Sequence, residues 1–300
     1  MKKHNACIDI ISSRKKCLPH SLRSLYKCFN KKYDYPVYVY YFDDIYDSLE
    51  YRKNIHNNIS KNIHFASIPY KTPSHIKRGE LFCFRKDIPY AVKCFSPKRL
   101  GYLHMCHFRV NAYGYPNTHY EQYDYAMSVD DESGFIKDLP YDPFDIMVNR
   151  SEDMGALKVG QRLSNGKPHH GHLGTRVNLW KFTKDFLTNN GIVPKSKLLQ
   201  DLMIDDNAEW NFHYLPWADS YIIKLKMFKT ELWKKWQNAI NEDGGIYKYR
   251  WGDNELMSLF YLIYDDKQIY DLKTVDEGYH NQGLYRNMQS FAPSVKNPKR

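Results

Sequence analysis

Val129-Asp130-Asp131-Glu132-Ser133 carries the sharpest chemical signal in the sequence. Asp130 and Glu132 are separated by one residue, so both carboxylates can point the same way from an extended turn. Such oxygen pairs suit hard divalent cations, which keep positions open for phosphate oxygens. A metal held there can bridge a diphosphate and stabilise its charge as it leaves. The plainer alternative is an acidic turn capping a helix. A second signal is Gly244-Gly245-Ile246-Tyr247-Lys248-Tyr249-Arg250-Trp251-Gly252-Asp253. There a helix stops at the glycine pair, a short aromatic strand is expected, and a turn delivers Asp253 to a new helix. Asp253 either caps that helix or faces a pocket. A third is Pro168-His169-His170-Gly171-His172, whose clustered imidazoles can bind a transition metal. Its spacing fits no helical or strand pair, which favours a surface loop. Gly278-Tyr279-His280 adds a late ligand candidate.

These groups need elements to hold them. Tyr123 to Val129 reads as a strand that runs into the acidic triplet, and in open α/β sheets ligands sit beyond the carboxyl ends of strands. Ala6 to Ile11 reads as a buried strand and Pro36 to Phe42 as another, ending at Asp43-Asp44. Between them Pro19 to Phe29 has helical spacing at Leu22, Leu25, Tyr26 and Phe29. Strand, helix, strand opens a parallel α/β unit. Further helices are predicted over Tyr102 to Tyr113, Leu179 to Leu187, Phe228 to Ile240 and Asn254 to Tyr264. Tyr46 to Pro97 gives no clear pattern, and Gly155 to Gly174 reads as loop. We expect one α/β domain over 1–290 and a basic, frayed tail over 291–300.

Lys plus Arg number 44 against 34 Asp plus Glu, a net charge of +10 that favours anionic partners. The basic residues are dispersed. Glycine-rich phosphate loops, the G-x-S-x-G elbow, H-E-x-x-H, zinc-finger spacing and RNP-type aromatic motifs are absent. No apolar run approaches the roughly 20 residues of a membrane span. The opening Met-Lys-Lys-His-Asn leaves no room for a signal peptide, so a soluble, cytoplasmic chain is expected. The six cysteines form no C-x-x-C pair, and free, buried thiols are expected.

Several segments, in this order, resemble glycosyltransferase family 15, the fungal-type α-1,2-mannosyltransferases. They are Asn5-Ala6 with the strand after it, Tyr33-Asp34-Tyr35-Pro36-Val37, and Asp43-Asp44. Tyr102-Leu103-His104-Met105-Cys106-His107-Phe108 is similar to the family's Y-R-H-M-C-R-F, and Tyr125 to Glu132 to the strand ending in W-R-V-E-P-D. Tyr141-Asp142-Pro143-Phe144 matches D-Y-D-P-F, Gly244 to Asp253 matches G-G-F-Y-Y-E-R-W-G-D, and Gly278-Tyr279-His280 resembles G-Y-x-H. The resemblance implies a GT-A fold, a nucleotide-diphosphate mannose donor, manganese and retention of anomeric configuration. It places Asp130 and Glu132 beside metal and diphosphate, with Asp131 in place of the family's proline. It puts Tyr102 at the donor site, Asp253 near the sugar, His280 at a metal-binding histidine one residue early, and Arg14 near a nucleotide-binding arginine. Asp43 joins the donor-binding candidates. A family glutamate in W-S-N-F-E-I falls on Tyr221, with Asp219 the nearest carboxylate.

The reading is a metal-dependent, retaining GT-A glycosyltransferase that moves a hexose, best assigned as mannose from GDP-mannose, to a glycan hydroxyl. Mn²⁺ is expected on Asp130, Glu132 and His280. Asp253, Asp219 and Tyr221 are the candidate catalytic positions. Two alternatives remain open: a UDP-sugar or another GDP-sugar as donor, and an inactive glycan- or nucleic-acid-binding relative. Nucleic acid is not the expected partner. A relative without a membrane anchor suggests a virus-encoded or bacterial source.

Overall fold

β1 (Ala6–Ser12), β2 (Val37–Tyr41), β3 (Ile63–Ser67) and β4 (Tyr125–Ser128) run parallel, as the strand-helix-strand opening predicts. The computed structural model describes residues 4–42, 46–68, 71–85, 87, 100–114, 118–159, 175–212, 215, 218–275, 277–281 and 283–285. The crossovers carry helices α1 (Leu18–Leu25), α2 (Leu49–Asn58) and α3 (Leu100–Ala112). α2 and β3 lie in the stretch from Tyr46 to Pro97 that has no clear pattern in sequence. A two-stranded ribbon pairs β5 (Gly134–Phe135) with a strand near the end of the chain. Helix α4 (Pro143–Asn149) then leads into the second half of the main sheet. That sheet has the order β3-β2-β1-β4-β7-β6-β8, completed by β6 (Met154–Val159), β7 (Ala218–Lys224) and β8 (Tyr270–Asp271). β7 is antiparallel to both β4 and β6. It therefore enters the sheet at the edge where β1 and β4 end. The late partner of β5 is β9 (His280–Asn281).

Both faces of the sheet are covered, which is why β1 and β2 read as nearly continuous apolar runs. The period of two then sorts their side chains. Ala6, Ile8, Ile10, Val37, Val39 and Met127 pack on one side with Leu18, Leu22, Leu25, Phe144 and Met147 of α1 and α4. Cys7, Tyr38, Tyr40, Ala126, Tyr221 and Ile223 pack on the other. There they meet α3, α5 (Leu179–Asn189), α6 (Lys197–Met203), α7 (Glu231–Asp243) and α9 (Asp253–Tyr264), with the short α8 (Gly245–Tyr249) between α7 and α9. Cys7, Cys17, Cys28 and Cys106 are free and buried, as expected. No helix among the described residues is long and apolar enough to cross a membrane.

Four expectations are corrected. Residues 155–159 are strand, not loop, and 160–174 lie outside the described residues. Gly155 is there for close packing, since a Cβ would lie 2.6 Å from the Met147 sulfur. The aromatic run after Gly244 is helical rather than extended, because Gly244 takes a left-handed φ of 73° that ends α7 and starts α8 at once. Asp253 is the first residue of α9, and the cap is Gly252. Thr230 starts α7, accepting a hydrogen bond from the Trp233 amide, so the helix begins later than Phe228. The tail over 291–300 lies outside the described residues.

Gly245 has a stricter requirement than its neighbour. A Cβ there would sit 2.3 Å from the ring of Trp251, which is fully buried. Gly245→Ala must push the indole out of place and is expected to destabilise the fold by about 1–2 kcal/mol, read from urea denaturation.

Candidate active site

The acidic turn follows directly from β4. The Val129 amide still bonds the Asp9 carbonyl at 3.0 Å, and the chain then turns. Asp131 points inward and is fully buried. Its Oδ2 accepts from the Ser12 hydroxyl at 2.7 Å and from the amides of Ser13 at 3.2 Å and Arg14 at 3.0 Å. Its Oδ1 meets the Arg14 guanidinium at 2.5 Å. Asp131 thus ties the end of β4 to the end of β1. Burial pushes its carboxyl up, while Arg14 and Ser12 pull it back. Arg14 also reaches Glu132 at 3.2 Å. Burial alone would lower its guanidinium, but the two carboxylates outweigh that and raise it. Asp131→Ala leaves four donors without their acceptor and should cost about 2 kcal/mol of stability, measured by chemical denaturation.

Asp130 and Glu132 flank this bracket. Asp130 is half-buried and Glu132 is buried. The far end of the chain closes over them. β9 pairs with β5 so that His280 lies opposite Phe135. The Tyr285 amide donates to the Glu132 carbonyl at 2.7 Å, and the Gly283 amide to the Ser133 hydroxyl at 3.2 Å. Gly134 permits this approach, since a Cβ would lie 2.7 Å from the Tyr285 ring. The topology therefore returns His280 to the acidic turn from about 150 residues away in sequence.

His280 is buried, with its ring 4.9 Å from Phe135 edge to face. Neither ring nitrogen has a hydrogen-bond partner among the described residues. Burial pushes its pKa down to about 4, so the ring is neutral at physiological pH. A neutral imidazole with no hydrogen-bond partner among the described residues has a lone pair that suits a divalent cation. Ligand atoms of Asp130, Glu132 and His280 do not gather within 4.8 Å. Among the described residues only His4, Asp142 and Asp145 do so. Asp142 there caps α4 through the Phe144 amide and accepts from Tyr35 at 2.6 Å, and Asp145 pairs with His4.

Asp253 lies on the opposite side of the β4 and β7 ends, in a buried cluster. Burial pushes its carboxyl up, and Arg109 of α3 opposes the shift. Its Oδ1 accepts from the Cys106 thiol at 3.4 Å, and its Oδ2 is 3.8 Å from Arg109 Nε. Arg109 is ion-paired with Asp9, which also accepts from the Tyr113 hydroxyl at 3.0 Å. Tyr221 stands on β7 one step beyond the last residues paired with β4, Met127 and Ile222. Its phenol is fully buried and feels the charges of Arg109, Asp253 and Asp9. Tyr102 lies on α3 with its ring 5.1 Å beneath the Arg250 guanidinium and close to Asp253.

Of the remaining candidates, Asp219 pairs through its backbone with Lys158, and its side chain lies outside the described residues. So do Asp43 and the histidines 169, 170 and 172. Asp9 and Arg109 were not singled out from the sequence. Their signal was present: each is a charged residue inside an apolar element.

A family model described as glycolipid 2-alpha-mannosyltransferase matches residues 1–290. The chain is 23% identical over 252 residues to the O-glycoside alpha-1,2-mannosyltransferase omh1 of Schizosaccharomyces pombe, covering 82% of this chain and 61% of that protein. It is 22% identical over 286 residues to the glycolipid 2-alpha-mannosyltransferase of Saccharomyces cerevisiae, covering 93% and 61%. It thus spans less than two thirds of the length of either relative. Among solved structures it is similar to the mannosyltransferase Ktr4p of S. cerevisiae in complex with GDP, with a TM-score of 0.71 and 21% identity over 93% of this chain and 71% of that one. It is also similar to core-mannan synthase A of Aspergillus fumigatus in its Mn/GDP form, with a TM-score of 0.72 and 20% identity over 99% and 79%. The fold is the GT-A type that the sequence resemblance implies.

Proposed function

The chain belongs to the glycolipid 2-alpha-mannosyltransferase family, and from that premise we propose that it transfers mannose from GDP-mannose to a hydroxyl of a glycan acceptor, with retention. The observation that supports the reading is the β5–β9 ribbon, which pairs the backbone at His280 with the segment that follows the Asp130–Glu132 turn at the carboxyl end of β4. A nucleotide and cation such as the GDP and Mn²⁺ of the core-mannan synthase A structure enter at that edge of the sheet in this proposal.

Asp130, Glu132 and His280 would hold the divalent cation, which when bound neutralises the donor diphosphate as it leaves. Arg14, fixed by Asp131, keeps Glu132 aimed at the site. Tyr102 lines the donor pocket. Asp253 orients the acceptor or balances positive charge that builds on the sugar as the C1–O bond to the diphosphate breaks. Tyr221 offers no carboxylate, and its buried phenol is held far above its ordinary range by desolvation. Front-face attack therefore suits this chain better than a covalent intermediate. The acceptor oxygen bonds C1 on the side the diphosphate leaves, and its proton passes to the leaving phosphate.

The test is donor turnover with GDP-mannose and Mn²⁺, followed by NMR of the product's anomeric proton. An α-linked product supports the reading, and inversion would overturn the front-face route. UDP-sugars in parallel decide the donor base.

A further inference from the structure

We infer that Arg109 is a positioning residue for Asp253: anchored by Asp9 and Tyr113, its guanidinium holds the Asp253 carboxylate oriented and anionic. The inference deepens the reading above and rests on the role given there to Asp253.

The geometry of the cluster assigns Arg109 two tasks. Nη1 is committed to Asp9 on β1 and donates to the Tyr113 hydroxyl at 3.3 Å. Nε is buried, makes no hydrogen bond among the described residues, and faces Asp253 Oδ2 at 3.8 Å. One end of the guanidinium is locked to the sheet and the other is aimed at the first residue of α9. A gap of that size closes to a hydrogen bond with a small shift of α9 when a ligand loads the site.

The charge count makes the second task necessary. Asp9, Arg109 and Asp253 are all buried, so two carboxylates share one guanidinium. The nearby guanidinium of Arg250 stacks on the Tyr102 ring, and the other titratable groups facing Asp253 add no positive charge. From α3 come Tyr102 and Cys106, from β7 comes Tyr221, and on its own helix stands Glu255. Every one of these is neutral or anionic. Burial favours the protonated form of Asp253, and Arg109 is the buried cation that opposes it. Without Arg109, none of these groups would supply a positive charge to offset the burial that favours the protonated Asp253 carboxyl.

The experiment follows the Asp253 carboxyl directly, by ¹³C NMR of protein labelled at the aspartate carboxyl carbon. The signal is assigned by its loss in Asp253→Asn and titrated in wild type, Arg109→Met, Arg109→Lys and Asp9→Asn. Removing the cation should raise the Asp253 midpoint by about one pH unit or more. Arg109→Lys should stay within a few tenths of wild type, and Asp9→Asn, which leaves the guanidinium to Asp253 alone, should lower the midpoint. Donor turnover against pH should show the same order on its acidic limb. An unmoved midpoint in folded Arg109→Met overturns the inference. If that variant does not fold, an unmoved or raised midpoint in Asp9→Asn overturns it instead. Absence of turnover in the wild type would instead refute the enzymatic reading, and the NMR titration would still decide what Arg109 does to Asp253.

Discussion

Asp130→Ala should abolish cation-dependent donor binding and lower turnover by about 10²-fold or more, with the fold intact. The three carboxylates of the turn differ in what holds them. Asp131 is fully buried and spends both oxygens on Ser12, Ser13 and Arg14. Glu132 is buried against Arg14. Asp130 remains half-buried at the lip of the sheet, and its backbone carbonyl, which accepts from the Ser133 amide at 3.1 Å, survives the substitution. Its removal therefore strips an oxygen ligand from the proposed donor site without opening the core. Melting temperature should stay within about 2 °C of wild type, roughly the shift of a 1 kcal/mol loss in a chain of this size. Asp130→Asn should retain part of the binding, because an amide oxygen is a weaker ligand than a carboxylate. Undiminished cation-dependent turnover in Asp130→Ala would remove the acidic turn from the mechanism.

Arg109→Leu should destabilise the protein by about 3–5 kcal/mol. Asp9 lies in the middle of β1, fully buried and paired on both sides by β2 and β4. Its partners are Arg109 and the Tyr113 hydroxyl. Deleting the guanidinium strands a carboxylate beneath α3 with a phenol as its remaining hydrogen-bond partner. The double substitution Asp9→Leu/Arg109→Leu removes the stranded charge as well. It should recover most of the loss, since the pair's attraction largely offsets its own desolvation. Urea denaturation of the two singles and the double closes the cycle. A single-variant loss under about 1 kcal/mol would mean that Asp9 finds water or takes a proton at little cost.

The parallel half of the sheet was legible because buried strands are rich in β-branched and aromatic residues and end at turn signals. Ala6–Ser12, Val37–Tyr41 and Tyr125–Ser128 all follow that rule. Met154–Val159 was not, because Gly155 resembles a loop residue until Met147 is seen packed against it. The short helix Gly245–Tyr249 was missed for a related reason. Its aromatic run has strand propensity, and the left-handed Gly244 overrides it. In the site, one-residue spacing identified Asp130 and Glu132. It did not reveal that Asp131 turns inward, which depends on Ser12 and Arg14 more than a hundred residues away. Asp9 and Arg109 pair across 100 residues, and no local pattern reports such a contact.

In the function proposed here, the Asp130–Glu132 turn and His280 form a cation-dependent site for a guanosine diphosphate sugar. The most direct measurement is the melting temperature with GDP, GDP-mannose, UDP and UDP-sugars, each with and without Mn²⁺. A ligand that binds only the native state raises its stability by about 2.7 kcal/mol at a hundredfold excess over Kd. A rise of several degrees with GDP or GDP-mannose is expected only when Mn²⁺ is present, and it should vanish in Asp130→Ala. A cooperative melt that no nucleotide moves, with or without the cation, would contradict the claim.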